Sequence, residues 1–202
     1  MKCGAHSILF VCPDYHCTYF LRDEFRKLGW RADVFVPPSY PPLLLYRKED
    51  FYWNGIAAMR PPWWRGLVES AARTFFFLAA LARYRYFVFY GKMIVPALPL
   101  NRLWKRLWGP SADGYLSLAK ALGKKVVYIP SGCLDEELKS YFSQMDDGRM
   151  CSNCWVVSCS DEAALPYLRR HARYADLVVG NGCFDSSHFE RAHLKYKSID
   201  LD

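Results

Sequence analysis

The sequence predicts an α/β fold: a doubly wound, Rossmann-like parallel sheet of about five strands with flanking helices. Two observations carry that reading. Short apolar, β-branched runs alternate along the whole chain with segments of helical periodicity. SILFVCP (7–13), CTYFLRDEFRKLG (17–29) and RADVFVP (31–37) then place strand, helix and strand within about 30 residues, the size of a βαβ unit with its right-handed crossover.

SILFVCP ends in turn chemistry and reads as a buried strand. The helix that follows has Phe20, Leu21, Phe25 and Leu28 at helical spacing, an expected core stripe, and Gly29 as its stop. Residues 37–65 are rich in proline and aromatics and read as an irregular insertion. RGLVESAARTFFFLAALARYR (65–85) is the clearest helix of the sequence, and YFVFYG (86–91) follows as a strand. KKVVYIPSG (124–132) and ADLVVGN (175–181) are the remaining strands, separated by helices expected at about 111–122, 134–145 and 160–174. The last helix has Ser160 as its candidate N-cap and Asp161 and Glu162 in its first turn. The expected strand order is 3-2-1-4-5, and the whole chain, 1–202, reads as a single domain.

At 52% hydrophobic and 23% charged residues the composition is globular. The net charge of +7 points to anionic partners: phosphorylated ligands, acidic lipid surfaces or nucleic acid. The N-terminus has no signal-peptide pattern, and the longest apolar run, TFFFLAALA (74–82), is shorter than the roughly 20 residues of a membrane span. A cytoplasmic chain whose eight cysteines are thiols or metal ligands is therefore expected.

In a doubly wound sheet, ligands sit outside the carboxyl ends of the strands. Five loops are therefore candidates: 13–17, 37–40, 90–92, 130–136 and 180–183. The first lacks G-x-G-x-x-G, and no Walker-type motif occurs, which disfavours dinucleotide enzymes and P-loop NTPases. Asp14 and His16 are candidate catalytic groups, an acid/base or substrate-orienting pair; the competing reading makes Asp14 a helix cap and His16 an exposed side chain. Ser131, Gly132 and Asp135 are candidate substrate-binding residues, a turn approaching an acceptor hydroxyl with Asp135 accepting from it. A plain tight turn with a first-turn carboxylate explains them equally well. Asn181, in an Asn-Gly pair, is a weaker candidate for the same role.

Two segments interleave aromatics with cations, MRPPWWRG (59–66) and LNRLWKRLWG (100–109). In the second, Leu100, Leu103, Trp104 and Leu107 share one stripe, while Arg102, Lys105 and Arg106 face elsewhere. Such a segment suits an anionic membrane surface, or an ordinary amphipathic helix packed on the domain. Nucleic acid is not an expected partner, because no nucleic-acid module accompanies the charge.

MCSNCWVVSCSDE (150–162) concentrates three cysteines in a loop at about 146–159. With Cys133 the spacing is C-x17-C-x2-C-x4-C through Cys151, Cys154 and Cys159, a candidate four-thiolate site for structural Zn2+. Buried, unbound thiols are the alternative. A redox pair is disfavoured because the β-prone Trp155-Val156-Val157 follows the C-x-x-C where a helix start is needed. His171, a reserve ligand, reads as part of a solvated helix face.

The order of elements resembles the N-terminal, acceptor-side domain of a GT-B glycosyltransferase of the family-4 type. The resemblance rests on ILFVCPDYHCTYFLRDEFRKLGWRADVFVP, KALGKKVVYIPSGCLDE and RRHARYADLVVGNG, and it covers nearly the whole chain. It implies that these residues bind a glycan or lipid-linked acceptor, and that a nucleotide-sugar donor belongs to a C-terminal domain absent here. It further implies that the chain alone does not transfer sugar, and that KYKSIDLD (195–202) approaches the crossing to that domain. The chain departs from the family where many relatives have a His-Gly-x-Asp-like turn after the fourth strand. Here Ser131 stands at the histidine position, and one extra residue separates Gly132 from Asp135. The first loop also lacks the glycines with which relatives approach a donor phosphate. Two other functions compete: a non-catalytic, metal-stabilised interaction module, and a small α/β enzyme using Asp14 and His16.

Overall fold

The computed structural model describes residues 6–11, 17–36, 62–90, 106–107, 113–129, 139, 160–180 and 193–195. Its elements are β1 (Ser7–Val11), α1 (Cys17–Lys27), β2 (Arg31–Phe35), α2 (Pro62–Arg83), β3 (Tyr86–Tyr90), α3 (Gly114–Ala121), β4 (Lys125–Ile129), α4 (Asp161–Tyr174), β5 (Leu177–Gly180) and β6 (His193–Lys195). All strands are parallel, in the order β2-β1-β3-β4-β5-β6. The Rossmann-like α/β fold expected from the sequence is therefore present, with β6 as a short addition beside β5.

The expected order 3-2-1-4-5 is not the one found, because β3 pairs with β1 and not outside β2. Burial explains the difference. YFVFY is apolar on both faces, and Phe87, Val88, Phe89 and Tyr90 are all buried. Such a strand needs covered neighbours on every side. RADVF brings Arg31 and Asp33 into β2, and Arg31 is exposed, which suits the end of the sheet.

Alternation sorts the strand side chains onto two cores. Leu9, Val11, Phe87, Phe89, Val126 and Tyr128 face the layer that contains Phe77, Ala80 and Leu81 of α2 and Tyr115, Leu116 and Ala119 of α3. Ile8, Phe10, Ala32, Val34, Val88 and Tyr90 face Tyr19, with Leu21, Phe25 and Trp30 packed against them. Helices thus cover both faces, as double winding requires. Aromatic rings fill much of the space, with Phe35 stacked on Phe76 (centroids 4.1 Å apart) and Phe77 edge-on to Tyr115 (5.6 Å).

Two helix-to-strand turns share one chemistry. After α1, Gly29 (φ +79°) donates its N–H to Arg26 O at 3.0 Å, while Trp30 N–H reaches Phe25 O at 2.9 Å. After α3, Gly123 (φ +70°) and Lys124 repeat this to Lys120 O and Ala119 O, both at 2.9 Å. Both are Schellman motifs, in which a left-handed residue satisfies the last helical carbonyls. The start of α3 is fixed by Asp113, whose carboxylate accepts from the N–H groups of Tyr115 and Leu116. Its own N–H donates to the Tyr174 hydroxyl at the end of α4 (2.9 Å), which also bonds Ser117 Oγ (3.0 Å).

Charged networks brace the amino-terminal side of the sheet. Tyr84, just ahead of β3, donates its hydroxyl to Asp33 Oδ2 at 2.5 Å, and Arg26 Nη2 meets Asp33 Oδ1 at 2.8 Å. Burial, reinforced by the hydrogen bond and charge of Asp33, pushes the Tyr84 hydroxyl well above the usual tyrosine range. Asp176, just ahead of β5, accepts from Lys120 Nζ (2.5 Å) and from Val126 N–H (2.9 Å). Burial alone would raise its carboxyl. The hydrogen bonds from Lys120 and Val126 and the charges of Lys120 and Lys125 outweigh that and hold it below the usual carboxylate range.

Candidate functional site

Parallel strands end at Val11, Phe35, Tyr90, Ile129 and Gly180 on the same edge of the sheet. The register keeps those ends level: Val11 lies beside Phe35 and Phe89, and Tyr90 beside Ile129. The five loops singled out from the sequence therefore all leave from one edge. The winding direction reverses between β1 and β3, so the crevice that binds ligands in this class of fold opens beyond Val11 and Tyr90.

The named candidates in those loops (Asp14, His16, Ser131, Gly132, Asp135 and Asn181) lie outside the described residues. So do Cys133, Cys151, Cys154 and Cys159. Among the described residues, no group of three or more His, Cys, Asp or Glu side chains is placed to hold a metal ion.

The described part of the crevice is the first two turns of α1, which start six residues after the end of β1. Here the structure differs from the expected apolar stripe. Phe20 and Leu28 are exposed, and the side chains that face inward include Thr18 (0% exposed), Tyr19 and Arg22 (5%), with Leu21 and Phe25 half-buried. Thr18 and Arg22 are one turn apart on the same face. The Thr18 hydroxyl is buried without a hydrogen-bond partner. Arg22 pairs with Asp23 at 2.8 Å, and its guanidinium lies over the Tyr19 ring, 5.6 Å from the centroid. Helical side chains lean toward the N-terminus, so Arg22 carries its charge back along the turn that holds Thr18.

Tyr90 ends the neighbouring strand. As the last residue of β3 it is buried in the same apolar layer as Tyr19. A helix N-terminus, a buried hydroxyl in need of a partner and a guanidinium form an arrangement suited to an oxyanion such as phosphate or carboxylate. Sequence reading passed over Thr18 and Arg22 because it followed only apolar periodicity. The signal that would have found them is a polar i, i+4 pair opening a helix that directly follows a buried strand.

The chain matches no protein-family model, and no curated protein or solved structure matches it either.

Of the two basic-aromatic segments, 62–66 form the first turn of α2, with Trp64 exposed; Arg106 and Leu107 are helical and exposed. The other residues of 59–66 and 100–109 lie outside the described residues. No helix among the described residues is long and apolar enough to cross a membrane.

Proposed function

We propose that this chain is the acceptor-binding half of a GT-B-type glycosyltransferase that takes a lipid-linked or polysaccharide acceptor. The observation that supports it is the inward polar face of α1, Thr18 and Arg22, next to the β1/β3 reversal of a parallel sheet. Lipid-linked glycans present a phosphate or diphosphate beside the sugar. Arg22 and the α1 terminus would hold that group, leaving the sugar hydroxyls to the loops that contain Asp14, His16, Ser131, Gly132, Asp135 and Asn181.

In this reading the nucleotide-sugar is bound by a second domain, and sugar transfer needs both halves. The protein then works at the cytoplasmic face of a membrane, with the segments 59–66 and 100–109 turned toward anionic lipid. Structural zinc in the cysteine loop would brace the cleft without taking part in chemistry.

Titration with a short-chain, water-soluble polyprenyl diphosphate disaccharide tests the assignment. Binding is expected, and Arg22→Met should weaken it by about tenfold or more, the loss of one charge-assisted contact. Thermal unfolding of Arg22→Met in the absence of ligand separates this effect from misfolding. Nucleotide-sugar turnover by the isolated 202 residues would contradict the division of labour. An absence of acceptor binding by a folded chain would return the protein to the interaction-module reading.

A further inference from the structure

The second helix has two apolar sides, and only one of them belongs to the core. Phe77, Ala80 and Leu81 are buried against the sheet, with Phe76 partly so. On the other side, Trp64 (49% exposed), Leu67 (58%), Phe75 (75%) and Leu78 (44%) face outward, together with Ala71, Ala79 and Ala82. At 100° per residue these positions fall within an arc of about 120°, running about 27 Å along the helix. From Trp64 to Ala82, every exposed side chain described on α2 is apolar.

The polar side chains described on α2 before Arg83 lie off the exposed arc and are only partly exposed. Glu69 and Arg73 pair one turn apart, and Thr74 Oγ1 donates to the Ser70 carbonyl at 2.7 Å. The charge described at the end of the stripe is positive: Arg83 is exposed at the C-terminal end, with Arg85 exposed just beyond it.

We infer that the outer face of α2 is a docking surface for an anionic lipid bilayer, lying in the interface plane. An apolar stripe with an exposed tryptophan at one end and exposed arginines at the other matches the boundary between acyl chains and acidic headgroups. No carboxylate stands on the exposed arc to be repelled or desolvated there. The helix lies on the membrane and does not enter it, since its opposite side is fixed in the core by Phe77, Ala80 and Leu81. An exposed apolar strip of this kind on a folded domain marks an interaction surface. The exposed arginines Arg83 and Arg85 at its C-terminal end select anionic lipid. This inference extends the proposed function but stands on α2 alone, and it holds whether or not the chain binds a glycan.

The test is flotation with two kinds of vesicle, pure phosphatidylcholine and phosphatidylcholine mixed with phosphatidylglycerol, using the full chain. Binding is expected to the anionic vesicles, weakening as salt is raised. The double variant Phe75→Glu/Leu78→Glu alters only exposed positions; it should retain its circular dichroism spectrum and bind the anionic vesicles at least about tenfold more weakly. Arg83→Glu should weaken binding to anionic vesicles while leaving any residual binding to neutral ones unchanged. No flotation with anionic vesicles would overturn the assignment, as would flotation that the double variant leaves intact. So would a dimer in light scattering that the double variant dissociates, because the stripe would then cover a second copy of the chain. Acceptor titration in vesicle-free solution reads the α1 site separately, so either assignment can fail without the other.

Discussion

Tyr84 shows how much one side chain holds together. It is almost fully buried at the junction of α2 and β3, and its hydroxyl donates to Asp33, which also takes Arg26 from α1. One carboxylate thus ties three separate parts of the chain. Tyr84→Phe removes a hydrogen bond to a charged acceptor and should destabilise the protein by about 2 kcal/mol at neutral pH in urea titration. The pH dependence has a defined sign. The Tyr84 hydroxyl is raised in the folded state, so its contribution is complete below the unfolded tyrosine pKa of about 10 and is lost as pH rises beyond it. The difference between wild type and Tyr84→Phe should therefore close at alkaline pH, by about 1.4 kcal/mol per unit above pH ~10. A difference that stays constant from pH 7 to about 11 would show that neither burial nor Asp33 holds the hydroxyl protonated in the folded state. The sequence offered no hint of this pairing, because Asp33 and Tyr84 are 51 residues apart and only the sheet order brings them together.

At the scale of elements, the legible parts were those with local causes. Gly29 was readable as a helix stop, and the LG pair recurs at Leu122-Gly123, where the same Schellman turn feeds β4. At both glycines an added Cβ would meet nothing within 4 Å, so positive φ alone demands the residue. Gly29→Ala and Gly123→Ala should each cost about 1–2 kcal/mol, the penalty for a left-handed residue with a Cβ. Asn, which tolerates that region better, should cost less, and the denaturant slope should not change. Helix existence was legible; helix orientation was not. Periodicity in α1 selected Phe20 and Leu28, which the structure exposes, over Thr18 and Arg22, which it buries. A hydrophobic pattern identifies the core face only where a helix packs wholly on apolar neighbours, and the first turns of α1 turn Thr18 and Arg22 inward instead. In α2 the run of apolar residues was visible, but its division into a core side and an outward side needed the position of the sheet.

For the whole molecule, the fold class followed from alternation, whereas strand order depended on which strand is buried on both faces. Once β3 is central, β4 and β5 are neighbours, and the cysteine-bearing stretch acquires a context that its spacing alone did not give. The chain leaves the sheet at Ile129 and resumes as α4 at Asp161, which leads into β5. Cys133 is four residues beyond the end of β4, and Cys159 two residues ahead of α4. In the sequence, Cys133 and Cys159 therefore bracket the connection between two adjacent strands, and Cys151 and Cys154 fall within it. A metal there would shorten a long connection, and four thiolates would leave no open position for chemistry. Protein purified without chelator should contain about one zinc per chain. Cys151→Ser or Cys154→Ser should abolish it and lower the melting temperature, because metal binding is coupled to folding of the loop. The sheet, which is braced independently through Asp33 and Asp176, should retain its far-ultraviolet circular dichroism in those variants. Wild-type protein that is fully folded and metal-free would leave the cysteines as plain thiols and remove the clasp from the description of the cleft.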